Sequence, residues 1–224
     1  QYGDITTSVG TNNTVTVQMG GASGPQLVSG GTANVLAMTT AANGTVAFTL
    51  GGSSMTLAGG SLAGHQQALT AAATTSATLD GIANALISAA NTAQGNGVAL
   101  NGTTGQPLFS GSNAGTMALA LTSGSQLATA PAGAGSNSQN PGNLTALQTA
   151  LSTSDIAGQT NALLFTVSAA VNGNSTTRDA LDAIAANAKT ALSSQSGVSL
   201  DTEAANLLRF QQAFQASGKV MQVA

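Results

Sequence analysis

The sequence has no cysteine and no tryptophan, and only one tyrosine, one histidine and four prolines among 224 residues. Without cysteine, disulfide staples and thiolate metal sites are excluded, and the redox compartment is left open. Charge is almost as scarce. Charged side chains make up 5% of the chain, where roughly a quarter is usual for a soluble domain. Four basic residues against seven acidic ones cannot build a basic patch, so nucleic acid is not an expected partner. Long-range steering of charged ligands is weak for the same reason. No apolar run approaches the roughly 18 residues that a spanning helix needs, so no membrane partner is expected either. Disorder is not implied, because 42% of the residues are hydrophobic and disorder favours low hydrophobicity with high charge. The opening QYGDITTSVG carries neither an initiator methionine nor the basic and apolar stretches of a signal peptide, which suggests a fragment or a processed product.

Catalytic groups are missing in the same way. His65, in LAGHQQAL, is the one imidazole, and no G-x-S-x-G elbow accompanies it. A serine triad would have to use it with Asp80 or a distant aspartate, and one histidine cannot support a histidine-rich metal site. Carboxylate pairs exist at Asp179/Asp182 and Asp201/Glu203, but both fall in polar helical turns with nothing to desolvate them. The glycine-rich runs lack the lysine or the strand–helix setting of a phosphate loop. No catalytic, cofactor-binding or metal-binding residue is expected, no cofactor is expected, and the chain reads as a non-enzyme.

What is present is a change of hydrophobic period along the chain. From Asp4 to Leu57 the period is two: Val15, Val17 and Met19 alternate with Thr14, Thr16 and Gln18. Asn43-Gly44 separates Val35–Thr40 from Thr45–Leu50 and predicts a hairpin whose two turn residues both tolerate positive φ. Beyond Gly59-Gly60 the spacing becomes three and four: Leu62, Leu69, Leu79, Ile82, Leu86 and Ala90 predict a helix over 61–94, with a kink possible in the β-branched stretch 74–78 and Asp80 solvated at its middle. Residues 98–142 turn irregular, and 129–143 read as a loop by composition. Asn143 is placed to cap a helix carrying Leu144, Leu147 and Leu151. A further helix runs from about Asn161, passing through or breaking at Gly173, and another carries Leu181, Ile184, Ala188 and Leu192 at heptad-like spacing. No fixed-period repeat is visible, which counts against a solenoid.

The expected fold class is α+β: an elongated helical rod, built as an antiparallel helix bundle, with a separate β-rich hairpin domain. The expected division is 1–58 for the β-rich module and 59–224 for the rod, with the irregular insert at about 98–142 and a coiled-coil-type helix at about 200–224.

That last helix is the most informative segment. At about 100° per residue, Leu207, Phe210, Ala213, Phe214, Val220, Met221 and Ala224 share a broad face, while Gln211, Gln212, Gln215, Lys219 and Gln222 lie opposite. Two of the five phenylalanines sit here. The face asks for a partner, and Leu207, Phe210, Phe214, Val220, Met221 and Ala224 are the candidate self-association residues, with Asp201 as the candidate helix cap. Asp201 and Glu203 at the start and Lys219 near the end suit the helix dipole.

The segment 196–224 closely resembles the C-terminal signature of the flagellar hook-associated protein 1 family. The resemblance is carried by Gly197-Val-Ser-Leu-Asp-Thr-Glu-Ala-Ala-Asn-Leu207 and Phe210-Gln-Gln-Ala-Phe-Gln-Ala216. Weaker likenesses stand upstream in the right order, QLVSGGTANVL at 26–36 and LDGIANALISAANTAQGNGVALNGTTGQPLF at 79–109. The resemblance implies a structural subunit outside the cell, at the hook–filament junction, exported unfolded and self-assembling through bundled terminal helices. It implies as partners other copies of the chain, the hook protein, the adjacent junction protein and an export chaperone for the intact C-terminus. It places the β-rich module outward. The family's N-terminal helical segment and its last dozen or so residues have no counterpart here, so the resemblance implies a middle and C-terminal fragment. Two other readings stand beside it. One is another axial flagellar component, flagellin-like or a second junction protein. The other is a secreted adhesin-like or phage-tail-like binding module, which a dominant β fold without helices at 61–94 and 143–195 would favour.

Overall fold

The computed structural model describes residues 5–10, 12–196 and 200–223, and only the backbone of helical residues 196, 200–202, 222 and 223. The chain is α+β, with small antiparallel sheets and long helices. Two compact units are present, Gln1–Val167 and Ser168–Ala224.

In the first unit, strands β1 (Ile5–Val9), β2 (Val15–Met19), β3 (Gln26–Ser29) and β4 (Thr32–Ala33) form one antiparallel sheet in sequence order. Strands β5 (Leu36–Thr40), β6 (Val46–Leu50) and β7 (Ser53–Met55) form a second. The alternation in β6 sends Phe48 and Leu50 inward. With Met19, Met55 and Leu57 they bury almost completely, and Leu62 and Ala63 of the following helix close the cluster. Each large side chain removed from water there contributes about 1.5–3 kcal/mol. One core thus draws on residues from both sides of position 58.

The β5–β6 hairpin forms at Asn43-Gly44 as expected, but by a different turn. Ala41 N–H donates to Thr45 O at 2.8 Å, and Gly44 N–H to Ala41 O at 2.9 Å. Only Gly44, at φ +82°, is left-handed. The loop therefore has three residues, with glycine at the one position that requires it, instead of two left-handed residues.

Helix α1 (Gly60–Gly95) runs unbroken through the threonine-rich stretch. Thr70, Thr74 and Thr78 each donate their hydroxyl to the carbonyl four residues back, at 2.9, 2.9 and 3.0 Å. This back-bonding gives the β-branched residues a place for their polar atom inside the helix, so no break is needed. Asp80 is not left to solvent: it is half-buried, and its Oδ1 accepts from Ala114 N–H at 3.0 Å.

After α1 come β8 (Gly97–Ala99), β9 (Phe109–Ser110), β10 (Ala118–Leu119) and β11 (Ala128–Pro131). β9 pairs with β10 and β8 with β11. Residues 129–131 are therefore strand and not loop. Small side chains permit it, since Ala90, Ala93, Ala99, Ala128 and Ala130 are all buried here, and Pro131 ends the strand opposite Gly97. Asn143 does not cap. Helix α2 (Gly142–Thr153) begins one residue before it, Asn140 Oδ1 receives the Gly142 N–H at 3.0 Å, and the buried Asn143 Nδ2 donates to Ala128 O at 2.7 Å.

Helix α3 (Ile156–Ser196) replaces the two shorter helices expected from the sequence. It starts five residues before Asn161 and passes through Gly173, where Thr176 and Thr177 donate to the carbonyls of Asn172 and Gly173 at 3.0 and 2.9 Å. One glycine costs a helix only about 0.5–1 kcal/mol, so the helix need not end there, and the threonine hydroxyls find acceptors within it. Helix α4 (Leu200–Val223) follows.

Candidate functional site

Helix α4 exists because Ala204, Ala205, Leu207, Leu208, Arg209 and the glutamines are good helix formers with no proline among them. Its apolar side is uncovered. Leu207, Phe210, Phe214, Val220 and Met221 are 62%, 74%, 82%, 69% and 78% exposed. Leu208, on the opposite side, is exposed as well, so the apolar surface exceeds a single stripe. Ala224 lies outside the described residues. Asp201 is the second residue of α4, with its side chain outside what is described. Lys219 falls short of the last helical turn, which holds no basic residue.

In the same unit, α3 leaves Val171, Leu181, Ile184 and Leu192 exposed. Arg178 and Asp179 form an ion pair at 2.9 Å with both side chains about two-thirds in solvent. Such a pair contributes little. The chemical capacity of this unit is apolar area. A buried phenylalanine removes roughly 150–250 Å² from water, so covering Phe210 and Phe214 alone would contribute several kcal/mol at about 25 cal/mol per Å².

The residues weighed for catalysis are scattered. His65 is exposed near the start of α1, Asp80 is engaged with Ala114, and Asp179, Asp182 and Glu203 lie on exposed helix surface. Among the described residues no group of three or more His, Cys, Asp or Glu side chains could hold a metal ion. No helix among them is long and apolar enough to cross a membrane.

One apolar feature escaped the sequence reading. In the first unit, Leu108, Leu119, Leu121 and Leu127 line an open cleft of about 290 Å³ with Thr122 and Ser123 at its edge. Leu119 and Leu121 are close in sequence, but Leu108 and Leu127 reach the cleft only through the pairing of β9 with β10 and the turn before β11.

The family model for "Flagellar hook-associated protein FlgK helical domain" matches residues 1–109, which hold β1–β8, all of α1 and the first residue of β9. A second, for "Flagellar basal body rod FlgEFG protein C-terminal", matches 189–224, the end of α3 and all of α4. The chain is FlgK-like. Neither a curated protein nor a solved structure matches it.

In this FlgK-like chain the uncovered face of α4 falls within the C-terminal match, and the shared core of strands and α1 within the first. The terminal motif belongs to a match named for rod proteins, whereas the first 109 residues carry the FlgK match. Both families are flagellar and structural, so the role of the FlgK-like chain is that of a flagellar structural component that assembles with other components of the flagellum.

Proposed function

We propose that the chain is a structural subunit that self-assembles at the hook–filament junction, outside the cell, by bundling its terminal helix with those of sister subunits. The exposure of Phe210 and Phe214 on α4 carries this reading: two large aromatic side chains stand in water inside a segment shared with flagellar axial proteins. Bundled helices need an apolar seam of this kind. Hook protein and the adjacent junction protein are the proposed neighbours, with an export chaperone for the C-terminus before assembly. Residues 1–58 are the proposed outward module. The rod-protein name of the C-terminal match also supports a broader reading, another axial flagellar component. The FlgK match over 1–109 favours the junction.

The test is addition of the purified chain to isolated hooks, followed by electron microscopy. The wild-type chain is expected to extend hook ends, and F210S/F214S is expected to leave them bare while circular dichroism shows its helices intact. Equal extension by the double variant would remove the physical basis of the proposal.

A further inference from the structure

We propose that two turns of this chain, Asn43-Gly44-Thr45 and Asn101-Gly102-Thr103, are sites of spontaneous deamidation, converting Asn43 and Asn101 to aspartate and isoaspartate in water. Asn-Gly pairs occur at 43–44, 96–97, 101–102 and 172–173, and only these two carry a threonine clip. In the first, Thr45 N–H donates to Asn43 Oδ1 at 3.1 Å and the Thr45 hydroxyl to the same oxygen at 2.7 Å. In the second, Thr103 N–H and hydroxyl hold Asn101 Oδ1 at 3.1 and 2.7 Å. The two sites, in different parts of the fold, have the same geometry.

The reaction needs only hydroxide and water. Hydroxide removes the amide proton of the glycine, and the resulting nitrogen anion forms a bond to the asparagine Cγ. The carbonyl electron pair moves onto Oδ1. When it returns, the Cγ–Nδ2 bond breaks and Nδ2 leaves as ammonia, taking a proton from water. The product is a cyclic imide. Water then adds to one of its two carbonyl carbons and opens the ring, giving aspartate or isoaspartate.

Two features of the turns favour the first step. The clip ties Oδ1 to the residue beyond the glycine, which turns the asparagine side chain toward the peptide that must attack it. Its two donors also point at Oδ1, the atom on which negative charge develops, and donors fixed in that position stabilise such an intermediate. One contact opposes it. Gly44 N–H donates to Ala41 O at 2.9 Å and Gly102 N–H to Ala99 O at 2.8 Å, so these bonds must open first. Both asparagines and both glycines are exposed, and exposed turns open locally at little cost.

The other two pairs lack these features. Gly97 is buried in β8, Gly173 lies inside α3, and the residues at the clip position are Val98 and Asn174. Each conversion to an acid would add a negative charge to a chain of formal net charge −3. Isoaspartate would also lengthen the main chain at the turn joining β5 to β6.

The test is to age the intact chain at mildly alkaline pH and follow each Asn-Gly peptide by the mass gained when an amide becomes an acid. Asn43 and Asn101 should convert ahead of Asn96 and Asn172. In T45V, which keeps the β-branched shape, loss of Asn43 should slow about fivefold, the scale of one exposed hydrogen bond, while Asn101 keeps its rate as the internal control. Conversion of Asn96 or Asn172 as fast as the clipped sites, or an unchanged or faster rate at Asn43 in T45V, overturns the proposal.

Discussion

Asn91 on α1 holds the main chain of Phe109 by both its hydrogen-bonding groups, Nδ2 donating to Phe109 O at 2.8 Å and Oδ1 accepting from Phe109 N–H at 2.9 Å. One side-chain amide thus substitutes for a neighbouring strand and fixes where β9 begins. N91A leaves a half-buried N–H and C=O without partners. It should lower the stability of the first unit by about 1–3 kcal/mol, read as a shift in the urea midpoint with little change in slope. N91D keeps the acceptor for the Phe109 N–H but sets a carboxylate oxygen against Phe109 O, so it too should destabilise. Hydrogen exchange at the Phe109 amide should accelerate in N91A and remain slow in N91D.

Two glycines should respond to alanine with opposite signs. A Cβ at Gly105 would lie 1.8 Å from Gln94 O and 2.8 Å from Ala128 Cβ, so backbone must move to admit it. G105A should destabilise by about 1–3 kcal/mol or more. Gly81 lies in α1 with open space where its Cβ would stand. There the change only reduces backbone freedom in the unfolded chain and should stabilise by about 0.5–1 kcal/mol. Thermal or urea unfolding of the two variants measures both, and equal shifts would contradict the packing assigned to Gly105.

The legible part of the sequence was the part with a strong period. Phe48 and Leu50 in alternation, Ile82, Leu86 and Ala90 at helical spacing, and the apolar side of α4 could all be read from residue type, because period alone sets the face. What escaped turned on where single polar side chains place their hydrogen bonds. Thr70, Thr74 and Thr78 sit in an unbroken α1, and Thr176 and Thr177 beside Gly173 in an unbroken α3, because their hydroxyls find acceptors among the helix carbonyls, which propensity does not foresee. Asn143 resembles a cap in sequence, yet α2 starts before it with Pro141 at the cap position, and its buried amide pins Ala128 instead. The strand at 128–131 was hidden for another reason: its buried residues are alanines, whose short side chains give no hydrophobic signal. The same asymmetry holds at the candidate site. Phe210 and Phe214 were visible at once, whereas the leucine cleft depends on a strand pairing that brings Leu108 beside Leu119 and Leu121.

Charge should matter little to the stability of the second unit. Arg178 and Asp179 are adjacent in sequence, so their pairing at 2.9 Å closes no long-range contact, and solvent surrounds both. D179N should change stability by less than about 1 kcal/mol. Thermal unfolding at low and high salt should give nearly the same midpoint for the wild type, since its ion pair is already screened. A large loss in D179N would mean that the carboxylate meets a partner in an assembled form.

If α4 drives assembly as proposed, the salt dependence of that assembly should reveal the nature of the contact. The proposed seam of Leu207, Phe210, Phe214, Val220 and Met221 has no charge, and Arg209 and Lys219 are the only basic residues on the helix. Screening exposed charges should therefore leave association almost unchanged, whereas an excluded salt such as sulfate should strengthen it by favouring apolar burial. Calorimetry of association should show a negative heat-capacity change, the mark of apolar surface leaving water. Both signals should fall sharply in F210S/F214S, because those two rings supply most of the aromatic area on the face. Association that weakens steeply with sodium chloride and survives the double substitution would instead assign the contact to charged groups such as Arg178, Asp182 and Lys189 on α3.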